Sequence, residues 1–211
     1  MDILMALAVT CYMAALARGA PLPASGALVS DQRFQDVVQR SRSLMQKIVS
    51  SVPDAHESCV HAEALKLNSS RNANLVVMAS NIGIAPAPVP RVVSESFPLD
   101  AALRNVSEGL QLHRALLSAV SPRLANKDRV TGLLADIKDL IIQINKMVKM
   151  ANAEAAVQPT PSPTPTALRL TGEYDVQVAA HLILVQLQSF GRDALRCLRS
   201  LDRSSEEEAE S

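Results

Sequence analysis

The stretch QPTPSPTPT, Gln158 to Thr166, sets a proline at every second position of a chain that otherwise reads as helix. Proline removes a backbone donor and clashes with the preceding turn, so no α-helix passes through a stretch with one at every second position. Alternating prolines favour an extended left-handed rod of about 3.1 Å per residue, so this stretch reaches roughly 28 Å. A helix of about 25 residues is about 37 Å long at 1.5 Å per residue. With its flanks, the rod crosses the height of a helical bundle, as a strut must when two successive helices point the same way. A linker without fixed structure would use the same prolines, and the two readings differ little for function.

Four segments carry one apolar stripe each at helical spacing. Over 30–52 the stripe is Phe34, Val37, Leu44, Ile48 and Val52, with Ser30 or Asp31 placed to cap the start. Over 99–120 it is Leu99, Leu103, Val106, Leu110, His113, Leu117 and Val120. Over 127–151 it is Val130, Leu134, Ile137, Ile141, Ile144 and Val148, and over 173–201 it is Val176, Ala180, Ile183, Leu187, Phe190, Ala194, Cys197 and Leu201. Apolar residues make up 48% of the chain and aromatics 2%, with no Trp, so aliphatic side chains must fill the interior, which favours helices. Only SPRLAN separates the second and third helices, which makes them antiparallel neighbours. The connections before and after are long. Two long crossovers around one short turn predict an all-α, up-up-down-down four-helix bundle, the order found in growth-hormone and cytokine bundles.

Ile3 to Ala17 is apolar, too short to span a bilayer comfortably, and followed by small residues. It reads as a signal peptide over 1–19, cleaved after Ala17 or Gly19, although its start lacks Lys and Arg. The mature chain is then a secreted domain over 20–201 with a disordered acidic tail over 202–211. With 21 basic and 21 acidic residues the net charge is zero, which gives no electrostatic case for nucleic acid or an anionic membrane. No second apolar run approaches the length of a membrane span. Cys59 and Cys197 remain after the leader is removed. The topology puts them at opposite ends of the bundle, so no disulfide between them is expected.

Catalytic and metal signals are weak. His56, Cys59 and His61 in HESCVH are potential ligands, but no fourth partner stands near them, and a loop of solvated side chains fits better. His113 and His181 fall within helices and read as structural. No nucleophile elbow, phosphate-cradling glycine loop or paired-carboxylate site emerges, so neither an enzyme nor a cofactor is expected. Sequons mark Asn68 in the first crossover and Asn105 beside the second stripe. Thr160, Ser162, Thr164 and Thr166 among the prolines suit O-glycans.

Recognition residues are better supported. On the third helix Asp136 and Asp139 lie one turn apart, pointing away from the stripe, with Ile142 exposed beside Asp139. Two carboxylates next to an exposed branched side chain form a small recognition patch; a solvated face with a stray Ile is the plainer alternative. Tyr174 lies opposite the fourth stripe, as a partner anchor or packed on the crossover prolines.

NIGIAPAPV at Asn81–Val89, LLADIKD at Leu133–Asp139, AVQPT at Ala156–Thr160 and LQSFGRDALRCLRSL at Leu187–Leu201 resemble the granulocyte colony-stimulating factor family of long-chain helical cytokines. Their shared order and spacing carry the resemblance, which is diffuse in the first helix. It implies a secreted growth factor that binds and dimerises a class I cytokine receptor and promotes granulocyte formation. In that family the main face uses the first and third helices, where Asp136 and Asp139 match paired aspartates and Ile142 falls close by. A second face combines the early crossover with the start of the fourth helix. There Glu63 matches a loop glutamate and Tyr174 an expected aromatic. On the first helix Gln32, Asp36 and Arg40 are candidates by exposure. Mammalian members tether the first crossover with two disulfides, neither of which Cys59 alone can reproduce. Another long-chain helical cytokine, or a secreted carrier of lipid or a small ligand within the bundle, are the competing readings.

Overall fold

The computed structural model describes residues 28–67, 73–94, 97–152 and 167–202. The expected leader, the proline rod, Asn68, Thr160, Ser162, Thr164, Thr166 and the tail from residue 203 lie outside the described residues. Among the described residues the named α-helices are α1 (Gln32–Cys59), α2 (Ala73–Ile82), α3 (Leu99–Val120), α4 (Asp128–Ala151) and α5 (Glu173–Arg199). Among the described residues extended pairing is limited to one bridge, Ser94 with Phe97. Of the two candidate caps, Asp31 closes the start of α1, accepting from the amides of Arg33 at 2.6 Å and Phe34 at 3.3 Å.

Contacts across the bundle fix its sense. Gln35, near the start of α1, donates to the Leu201 carbonyl just past α5, while His56 near the end of α1 meets His181 near the start of α5. Lys47 pairs with Asp136 and Ser41 with Gln143, so α4 also runs against α1. On the other side Ser107 of α3 reaches Asn145 of α4, and Gly109 abuts Phe190 of α5. A Cβ on Gly109 would fall 2.1 Å from the Phe190 ring, so only glycine admits this approach. Helices α1 and α3 are therefore parallel to each other and antiparallel to both α4 and α5. That is the up-up-down-down order. Asn152, at the end of α4, lies where α1 starts, and Glu173, where α5 starts, lies at the opposite end of the bundle.

The core lies between these four helices. Every residue expected on the α3 and α5 stripes is buried. The α4 stripe is rotated from its expected setting: Leu133, Leu140 and Met147 are buried, while Leu134 and Ile141 are only partly covered.

Three boundaries differ from the sequence reading. Helix α1 continues past 52 through Pro53 to Cys59. The missing Pro53 amide leaves one carbonyl turn open on the solvent side. Continuation buries Ala55, His56 and Cys59, and the Cys59 thiol donates to the Ala55 carbonyl. Asp202, expected in the tail, is buried against Arg42. The first crossover also contains α2, which had not been expected. Its end is a Schellman closure: Ile84 N–H bonds to the Ala79 carbonyl at 2.9 Å and Gly83 N–H to the Ser80 carbonyl at 3.2 Å. Gly83 takes φ +90, which a side chain would strain. Helix α2 and Ala85 rest on α5, where Gln186 donates to the Ala85 carbonyl.

Candidate functional site

Two surfaces collect the candidate residues. On α1, Gln32, Asp36, Arg40 and Lys47 follow one outward stripe at four- and seven-residue spacing. Gln32 donates to Asp36 at 3.0 Å, and Arg40 is exposed. This stripe borders α4, where Lys47 Nζ meets Asp136 Oδ1 at 2.7 Å. Asp136 therefore departs from its expected free position: its side chain is 18% exposed and sits on the seam, not on the open face. Each step of three residues turns about 60° around the helix. Asp139 is thus rotated outward from Asp136, and Ile142 further still, 59% exposed. The three form a diagonal from the α1 seam to open solvent. Lys47 was missed in the sequence, although it continues the register of Arg40.

The second surface is at the end of the bundle where α1 stops and α5 starts. The amides of His61 and Ala62 both donate to Gln177 Oε1 at 2.9 Å, clasping the first crossover to α5. Glu63, the next residue, is exposed, and Tyr174, one turn before Gln177, is 53% exposed. The clasp thereby brings Glu63 and Tyr174 to the same end. Asp175 organises the helix start by accepting from the Thr171 amide at 3.1 Å and from the Thr171 hydroxyl. The hydroxyl bond holds the Asp175 carboxyl below its ordinary range. A cavity of about 270 Å³ opens here, bounded by Cys59, His61, Arg123, Leu124, Glu173 and Gln177.

HESCVH is not a solvated loop. His56 and Cys59 are buried in the last turns of α1, and of the three potential ligands only His61 is exposed. His56 Nε2 lies 2.9 Å from His181 Nδ1, with ring centroids 5.2 Å apart. Burial, then the neighbouring His181, holds His56 down to about 4; burial also lowers His181. His113 donates from Nδ1 to the Gly109 carbonyl, and burial lowers it to about 4. Cys59 and Cys197 are separate buried thiols at opposite ends of the bundle, each raised to about 11 by burial. Among the described residues no group of three or more His, Cys, Asp or Glu is arranged to hold a metal, and no helix is long and apolar enough to cross a membrane.

Asn105 lies mid-helix in α3, half-buried, with its Oδ1 fully covered and without a partner. A groove of about 450 Å³ runs between α2 and α5, lined by Leu75, Val76, Ile84, Leu182 and Val185. It lies outside the four-helix core, with His181 at its edge.

No family model matches the chain. It is 32% identical over 128 residues to granulocyte colony-stimulating factor of Felis catus, covering 59% of this chain and 63% of that protein. The cat alignment thus spans less than two thirds of the relative's length. Against the Ovis aries protein of the same description it is 32% identical over 130 residues, covering 60% of this chain and 72% of the relative. Against that of Canis lupus familiaris it is 28% identical over 190 residues, covering 89% and 97%.

Proposed function

The chain belongs to the granulocyte colony-stimulating factor family, and from that premise we propose that it is a secreted growth factor, not an enzyme, that binds and dimerises a class I cytokine receptor to stimulate granulocyte production. One observation carries the reading: an up-up-down-down bundle bears two separate exposed polar surfaces, one along the α1–α4 seam and one where the first crossover is clasped to α5. Two surfaces on one ligand are what holding two receptor chains together requires. Export through a leader over 1–19 and glycans at Asn68, Asn105, Thr160, Ser162, Thr164 and Thr166 belong to the same reading, with the half-buried Asn105 the least accessible.

On the first surface, Asp139 and the seam carboxylate Asp136 pair with receptor cations around Ile142, with Gln32, Asp36 and Arg40 alongside. Charges of this kind set encounter rate and partner choice, while desolvated contacts hold the complex. On the second, Glu63 and Tyr174 take the other receptor chain. The test is receptor-ectodomain binding by an Asp136→Ala, Asp139→Ala double variant with its helicity followed by circular dichroism. Losing a buried charged contact costs about 2–5 kcal/mol, a fall in affinity of about thirtyfold or more. A folded variant that binds normally removes the first surface from the proposal. Glu63→Ala with Tyr174→Ala should leave one-to-one binding intact and abolish receptor pairing, read as complex mass.

A further inference from the structure

We infer that the buried His56–His181 pair is a proton-operated latch for the crossover–α5 surface: its protonation loosens the clasp of residues 61–62 on Gln177 and so releases a partner held by Glu63 and Tyr174 in acidified compartments. This rests on the second surface proposed above.

The geometry couples the two features. Two imidazole nitrogens 2.9 Å apart share one hydrogen, donated by one ring and accepted by the other. A further proton on the accepting nitrogen sets N–H against N–H and places charge inside a buried interface, so the contact cannot survive it. His181 is one turn beyond Gln177 on α5, and His56 precedes the clasped amides of His61 and Ala62 by a short stretch. The histidine contact and the clasp are therefore successive links between the same two pieces of chain. Below them Pro53 interrupts the hydrogen-bond ladder of α1, so the last turns of α1 have a weak point about which to swing.

Among the described residues around the pair, no other group stands in for the proton. The α2 and crossover residues that share the groove with His181 are uncharged: Leu75, Val76, Ala79, Ser80, Ile84 and Pro86. On α1, Asp54 and Glu57 are exposed and Cys59 is a buried thiol that stays neutral in acid. On α5, Glu173 and Asp175 lie at the helix start, with Asp175 engaged by Thr171, and Gln177 and Gln186 are uncharged. Asp128 and Arg129, which open α4 at this end of the bundle, are exposed, as is His61.

In the closed latch His56 is held near 4, against 6.5 when released. Opening is therefore favoured progressively as pH falls below 6.5. From His56 alone the opening equilibrium should shift on the order of twentyfold between pH 7 and pH 5.

The experiment is amide hydrogen exchange of the free protein at pH 7 and pH 5, corrected for intrinsic rates, with Ile137 in α4 as a core reference. In the native protein, protection of the His61 and Ala62 amides should fall by tenfold or more while Ile137 stays protected. His56→Gln, which keeps a hydrogen-bonding partner for His181, should flatten that response. His181→Gln provides a second variant, and His61→Gln should leave the response unchanged. Clasp amides that stay protected at pH 5, or a His56→Gln response equal to the native one, would overturn the latch. Because this measurement needs no receptor, it is separate from ectodomain binding at pH 7, which tests the surface itself. The linked readout is ectodomain dissociation at the two pH values. Acid should accelerate it for the native protein and much less for His56→Gln; equal acceleration in both also overturns the inference.

Discussion

Helix α1 is held on one side by α4 and on the other by α5, and the two seams use opposite kinds of polar contact. Toward α4 the links are Lys47 with Asp136 and Ser41 with Gln143, the former at the solvent boundary. Toward α5 the links from Gln35 to the Leu201 carbonyl and from His56 to His181 are buried, and that from Arg42 reaches a buried Asp202 carboxylate. Buried polar groups cost little only while each keeps its partner and its protonation state. Surface pairs contribute little but remain available to others. The difference teaches a division of labour. The α5 seam makes stability depend on chemical state, and the α4 seam keeps its charges at the solvent boundary, where the proposed receptor surface would use them.

Acid is the strongest way to test that division. His56 and His113 both contact α5, and both are held to about 4 against an ordinary 6.5. The unfolded chain therefore binds more protons than the folded one below pH 6.5. Stability is full above that value and is lost as pH falls toward 4, by about 2 kcal/mol from each histidine by pH 5. Urea denaturation at pH 7 and pH 5 should show a loss on the order of 4 kcal/mol, much of it recovered by replacing both histidines. A flat profile would mean that the α5 seam is no more proton-sensitive than the α4 seam, and the comparison would break.

The same contrast governs how much the sequence could reveal. The α3 and α5 stripes were legible residue by residue because a clean four-three series leaves one solution. In α4, Leu133 stands beside Leu134, and Leu140, Ile141 and Ile142 are consecutive, so periodicity alone cannot choose the buried setting. Contact with α1 and α3 on both sides chose it. Pro53 hid the last turns of α1, because the rule that proline ends helices gives way where the following turns bury apolar groups. Helix α2 carried a usable signal in its Gly83 stop with Pro86 beyond, but its short apolar run has little periodicity. Ile142 was expected at the surface and is exposed there, as are Glu63 and Tyr174. The covered position of Asp136 depended on Lys47, which is on another helix. His56 and His181 lie 125 residues apart, and no local pattern could join them.

A smaller effect sharpens the comparison within the α5 seam. Arg42→Ala removes the Arg42 guanidinium from the Asp202 carboxylate, whose side chain is 1% exposed. Arg42 itself is 36% exposed, so solvent screens part of the interaction. The expected loss is about 2 kcal/mol in chemical denaturation. Arg42→Lys should recover part of it, since the charge returns without the planar donor geometry. A loss below about 0.5 kcal/mol would place this contact with the surface pairs.

The smallest expected effect is on the α4 seam. Lys47 is 62% exposed, so its pair with Asp136 is screened by water and salt. A double-mutant cycle of Lys47→Ala and Asp136→Ala should give a coupling of about 0.5 kcal/mol, smaller still at about 1 M salt. Lys47 also occupies the carboxylate that the proposed receptor surface offers. Lys47→Ala should therefore leave stability nearly unchanged while speeding receptor association, because no pair has to be broken before Asp136 meets a receptor cation. A coupling above about 2 kcal/mol would give Asp136 a structural role like that of Asp202. It would also make the loss of binding in an Asp136 variant a consequence of a disturbed seam, which the Asp139→Ala single variant, on the exposed side of α4, would then have to separate.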